Sequence, residues 1–135
     1  MFYRQYYSEL GKLLYALAHA DGKIGEKEKA ALKELVRTEL VPKEKHNDTF
    51  GTDAAYYAEI EFDILEDSEP DVDAAFDSFL FFIENHHTAV TTEMRQATIR
   101  VTDKMAHQYK NTGKKEASLL ATLKKKLQEL PAAAH

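Results

Sequence analysis

Apolar residues recur at intervals of three and four along most of this 135-residue sequence, and nowhere do they alternate with a period of two for long enough to build a strand. That single pattern confines the chain to an all-α class. Tyr3, Tyr6, Leu10, Leu13, Leu14 and Leu17 place one inward stripe on a helix over residues 2–20. Ala31, Leu32, Leu35 and Val36 do the same over 26–40, and Pro42 stops that helix. A third helix is expected over 53–66, with Thr52 as its N-cap and Tyr56, Tyr57, Ile60, Ile64 and Leu65 inward. A fourth starts near Pro70, after the breaker 68-SEPD-71, and runs to Asn85 or His87 through Phe76, Phe79, Leu80, Phe82 and Ile83. Because residues 79–83 are all apolar and cover every side of a helix, this fourth helix is expected at the centre. Thr91 or Thr92 opens a fifth helix that reaches Tyr109, with Met94, Ala97, Val101 and Met105 inward. A sixth over 114–130 buries Leu120, Leu123, Leu127 and Leu130.

Length suits one domain over 1–135, a bundle of six to seven helices. No apolar run approaches the roughly 20 residues a membrane helix needs, and the opening residues lack an apolar signal core. A chain outside the membrane, in the cytoplasm, is the expectation. Cysteine is absent, so thiolate metal sites and thiol nucleophiles are excluded, and any metal must bind through oxygen or histidine.

Sliding the sequence against itself by 88 residues matches Ala18 with Ala106, His19 with His107, Gly25 with Gly113, Lys27 with Lys115, Glu28 with Glu116, Leu32 with Leu120 and Leu35 with Leu123. The bundle is therefore expected to contain a duplicated helix-loop-helix. His19 and His107 are read as equivalent packing positions. The two corners differ in one respect: Asp21-Gly22 in the first is replaced by Tyr109-Lys110 in the second.

Asp21, Gly22, Ile24 and Glu28 occupy positions 5, 6, 8 and 12 of a calcium-binding EF loop, but positions 1 and 3 are Leu17 and His19. An EF-hand is excluded. Gly25 as N-cap with Glu28 at the third helical position accounts for much of the motif as a capping device. Asp21 fits less well, because an anion at the carboxyl end of a helix is unfavourable by a few tenths to about 1 kcal/mol. Either a turn or lysine contact compensates it, or a divalent cation does, Ca2+ before Mg2+ because flexible carboxylates suit it.

Charge is strongly segregated. Residues 1–45 carry 9 basic and 7 acidic side chains, residues 46–94 carry 0 and 13, and residues 95–135 carry 9 and 3. The acidic middle is a solvated face, a surface for a basic partner or a second copy, or a face that docks on the chain's own basic helices. Glu59, Asp63 and Glu66 share one side of the third helix, so Glu59 and Asp63 join Asp21 and Glu28 as candidate metal ligands. Glu84 and His87 form one Glu-x-x-His pair, where a di-iron bundle needs two. No nucleophile elbow, phosphate loop, dinucleotide fingerprint or zinc-protease motif occurs, so an enzyme is not expected. Nucleic acid is not expected as a partner either, because 13 neighbouring carboxylates repel phosphate.

The stretch 13-LLYALAHADGKIGEKEKAALKELV-36 resembles the first helical hairpin of the tellurite-resistance TerB-like family: apolar helix, Ala-Asp-Gly, an aliphatic residue, a short gap, Glu, and a second apolar helix. The resemblance implies an all-α bundle of two related halves in a cytoplasmic bacterial protein. It also implies an acidic, metal-linked site with Asp21 and Glu28 at the matching positions, and a role in stress response. It covers about this quarter of the chain, and the second corner lacks the Asp-Gly pair.

Overall fold

The computed structural model describes residues 2–20, 26–39, 49–108 and 113–131. Six helices lie among them: α1 Phe2–His19, α2 Glu26–Glu39, α3 Thr49–Ser68, α4 Val72–Asn85, α5 Thr92–Gln108 and α6 Lys114–Glu129. No strand occurs among the described residues, so the all-α expectation holds. The expected corner residues Asp21, Gly22 and Gly25, as well as Pro42, Tyr109 and Lys110, lie outside them. So do the side chains of Tyr3, Val36, Tyr56, Glu59 and His107.

The central helix is α1, not α4. Six consecutive residues from Leu13 to Ala18 are buried, which requires neighbours on every side, and α1 packs against α3, α4 and α6. In α4 the apolar run breaks the expectation at Phe81, which is 71% exposed, while Phe76, Phe79, Phe82 and Ile83 face inward. Its start is set by Asp71, whose carboxylate accepts the Ala74 amide at 3.0 Å and satisfies one of the otherwise orphaned donors of the first turn.

Two further expectations change at α3. The helix already begins at Thr49, so Thr52 is an interior residue rather than the N-cap. Its inner stripe is Ala58, Phe62 and Leu65, whereas Ile60 and Ile64 are 51% and 53% exposed. The reason is how closely α3 approaches α1. A Cβ added at Gly11 would lie 2.6 Å from the Ala58 carbonyl oxygen and 2.9 Å from the Glu61 Cβ, so the two backbones meet where both residues are small. That close approach turns Ala58 inward and swings Ile60 and Ile64 to the outer side.

The duplication is visible in the helices. A shift of 88 carries Glu26, the first residue of α2, onto Lys114, the first residue of α6, and carries buried Tyr6, Leu13, Leu17, Leu32 and Leu35 onto buried Met94, Val101, Met105, Leu120 and Leu123. The contacts are reciprocal too, since α1 meets α6 and α2 meets α5. At the junction the Tyr6 hydroxyl lies 2.5 Å from Thr98 Oγ1 and 3.0 Å from the Met94 carbonyl oxygen, which is 2.9 Å from Thr98 Oγ1, so one hydroxyl donates to the other and the second donates to the carbonyl. Tyr6 thus touches its own repeat equivalent, the pattern that a two-fold axis through the contact produces. Gly113 is the N-cap of α6 and Glu116, buried, is the third residue of that helix. This is the spacing expected of Gly25 and Glu28 at the first corner.

Candidate functional site

Where α1 ends, α2 begins and α3 finishes, one carboxylate ties three helices. Glu66 lies in the last turns of α3, and its Oε2 is hydrogen-bonded to His19 Nε2 at the end of α1. Its Oε1 is 2.9 Å from Lys29 Nζ on α2. One turn along α2, Lys33 Nζ stands 2.6 Å from Asp63 Oδ1, and Lys29 also approaches Glu26 at 3.6 Å. Lys29 and Lys33 are four residues apart and Asp63 and Glu66 three, so each pair presents one helix face to the other. The Tyr15 ring covers His19 with centroids 4.7 Å apart, and its hydroxyl donates to the Pro70 carbonyl at 3.2 Å. Glu26, Lys29, Lys33, Asp63 and Glu66 border an open cleft of about 380 Å³ between α2 and α3, completed by Ala30 and Asp67.

Burial pushes the Glu66 carboxyl up, but the hydrogen bonds and charges of Lys29 and His19 together outweigh it and hold the carboxyl below its ordinary value of 4.5. Burial, with the anions of Glu66 and Glu69 behind it, raises the Tyr15 phenol. The hydrogen bond to Glu66 raises Lys29. A depressed carboxylate stabilises the fold fully above its unfolded value, and that contribution is lost as pH falls through the folded one. Glu66→Gln should therefore lower stability near neutral pH, by about 2 kcal/mol for a lost charged hydrogen-bond partner. The deficit should narrow as pH drops below 4.5. Urea midpoints for wild type and variant measured from pH 7 to pH 3 test this, and a deficit that stays constant across the range would be the wrong result.

Of the four candidate metal ligands, only Glu28 and Asp63 have side chains among the described residues. Asp21 and the side chain of Glu59 lie outside them, Glu28 is exposed in the first turn of α2, and Asp63 is engaged by Lys33. No group of three or more histidine or carboxylate side chains positioned to hold a metal occurs among the described residues. Glu84, of the lone Glu-x-x-His pair, is bonded to Lys126 at 2.7 Å, and that hydrogen bond lowers its carboxyl.

At least four of the 13 carboxylates of the acidic middle dock on the chain's own basic helices. Lys29 and Lys33 of α2 hold Glu66 and Asp63 of α3, while Lys115 and Lys126 of α6 hold Asp73 and Glu84 of α4 at 3.4 and 2.7 Å. The two lysine-bearing helices are equivalent in the duplication. Sequence reasoning gave Glu66 its place on the acidic face but missed its partners. The matched spacing of the Lys29 and Lys33 pair with the Asp63 and Glu66 pair was the available signal; the His19 contact, 47 residues distant, had none.

Comparison of the chain with protein-family models, with curated proteins and with solved structures finds no match in any of the three.

Proposed function

We propose that this chain is a non-catalytic protein-interaction module, TerB-like in plan, that docks a basic partner on the outward side of its acidic helices. One observation carries the reading. Helix α3 turns Ile60 and Ile64, each more than half exposed, away from the bundle, with Asp63 and Asp67 along one edge of them, while Glu66 on its inner flank is held by Lys29 of α2. Single exposed apolar residues are ordinary; two bulky ones a turn apart on a helix framed by carboxylates suit a docking surface. A cytoplasmic location and a part in stress response come with the TerB-like resemblance and are proposed on that ground.

A photoreactive benzophenone amino acid placed at Ile64, and separately at exposed Gln128 on α6, tests the docking reading in cells that make the protein. Discrete adducts at Ile64 that are missing at Gln128 are expected. The same adducts at both positions, or none at either, would sink it.

A second reading places a divalent cation, Ca2+ or Mg2+, at the α1–α2 corner with Asp21, Glu28, Glu59 and Asp63 as ligands. It is favoured by the divergence of the two corners: Glu116 is buried in its capping position, whereas its equivalent Glu28 is exposed. Calorimetric titration of Ca2+ and Mg2+ into wild type and an Asp21→Ala, Glu28→Ala double variant decides it. Heat present in wild type and missing from the variant supports the site, and absence of heat in wild type removes it.

A further inference from the structure

We infer that the outer stripe of α3 accepts one amphipathic, basic helix of another protein, a conclusion that rests on the docking function proposed above. Ile60 and Ile64 stand four residues apart and therefore stack on one side of the helix, about 6 Å from one another. With 3.6 residues per turn, Glu61 falls along one edge of this stripe, and Asp63 and Asp67 fall along the other. Asp67 is exposed, Asp63 is 58% exposed at its side chain, and Glu61 is half-buried beside Gly11.

This arrangement discriminates among occupants. A second copy meeting the stripe through its own stripe would repeat the same residues on both sides of a two-fold axis. Glu61 and Asp67 would then oppose like charges, since α3 contains no lysine and Lys33 of α2 is already committed to Asp63. Like-charge juxtaposition across an interface is strongly disfavoured. A helix with apolar side chains at i and i+4, flanked by lysine or arginine, meets the isoleucines with its anchors and the carboxylates with its rim. Lys33 already neutralises one oxygen of Asp63 at 2.6 Å, so the charge the partner must meet lies chiefly at Asp67 and Glu61. Exposed Phe81 belongs to α4 and is not required.

The test uses the full chain and two helical peptides of about 18 residues, five turns, with leucine on one stripe and either lysine or glutamate elsewhere. Fluorescence anisotropy should show the leucine-lysine peptide binding to wild type. Binding should weaken about thirtyfold in Ile60→Ser, Ile64→Ser, as for loss of a central anchor pair. In Asp67→Lys it should weaken about tenfold, as should wild-type binding when salt rises to roughly 0.5 M. All these positions are exposed, and circular dichroism checks that each variant keeps the helical content of wild type. Equal binding of the leucine-glutamate peptide overturns the charge argument and with it the inference. Self-association of the protein that disappears in the double serine variant overturns it in favour of a second copy. No binding of either peptide, with the Ile64 photo-adducts retained, overturns the helical occupant while leaving the docking function in place; loss of the adducts as well removes both.

Discussion

Gly11→Val should destabilise the protein by about 3 kcal/mol or more, the upper range for forcing extra carbon into a packed contact. The first added carbon already falls 2.6 Å from a backbone carbonyl of α3, an atom that cannot rotate aside as a side chain would. Gly11→Ala separates this clash from ordinary helix propensity. In an open helix, replacing glycine by alanine stabilises by about 1 kcal/mol, so a net loss of stability in Gly11→Ala means that the clash exceeds that gain. Urea denaturation of both variants gives the sign directly. If alanine raises the midpoint, the close approach of α1 and α3 is not as described.

Phe79→Ala should cost about 3–5 kcal/mol, a large share of the 5–15 kcal/mol that usually holds a domain together. Phe79 is fully buried between α4 and the centre of the bundle, with its ring 6.5 Å from that of Tyr6. Truncation removes both the transfer energy of the ring and the contacts its neighbours make across the vacated space. Phe81→Ala, two residues along the same apolar run but 71% exposed, should change stability by less than about 0.5 kcal/mol. Paired denaturation curves therefore map which side of α4 faces the core. Equal losses at the two positions would contradict the described orientation.

The helices were legible because their apolar spacing is a local property. The repeat was legible because identical residues recur at one fixed shift, and α6 indeed opens at the residue equivalent to the start of α2. What sequence could not rank was one apolar stripe against another on the same helix. In α3 the stripe with Ile60 and Ile64 is apolar enough to compete for the inner position, yet Ala58, Phe62 and Leu65 are the residues buried. The decision is steric and lies on the partner helix, at Gly11, so no reading of α3 alone could reach it. The same holds for α4, where five apolar residues in a row conceal that α1 occupies the middle position. At the candidate site, the acidic face was visible as charge, but its internal neutralisation depends on which helices become neighbours. Lys29 and Glu66 are 37 positions apart in the chain, and only the fold sets them 2.9 Å from one another.

The Tyr6 contact with Met94 also bears on how the chain acquires its shape. Those partners are 88 positions apart, so closing the loop between them costs on the order of 4 kcal/mol of chain entropy beyond a constant term. Helices at either end can form within microseconds, yet the hydroxyl at the junction has no carbonyl to meet until both repeats have emerged and converged. Until then α3 and α4 can already cover most of α1, but the hydroxyl of the earlier repeat must wait for the later one before it is satisfied.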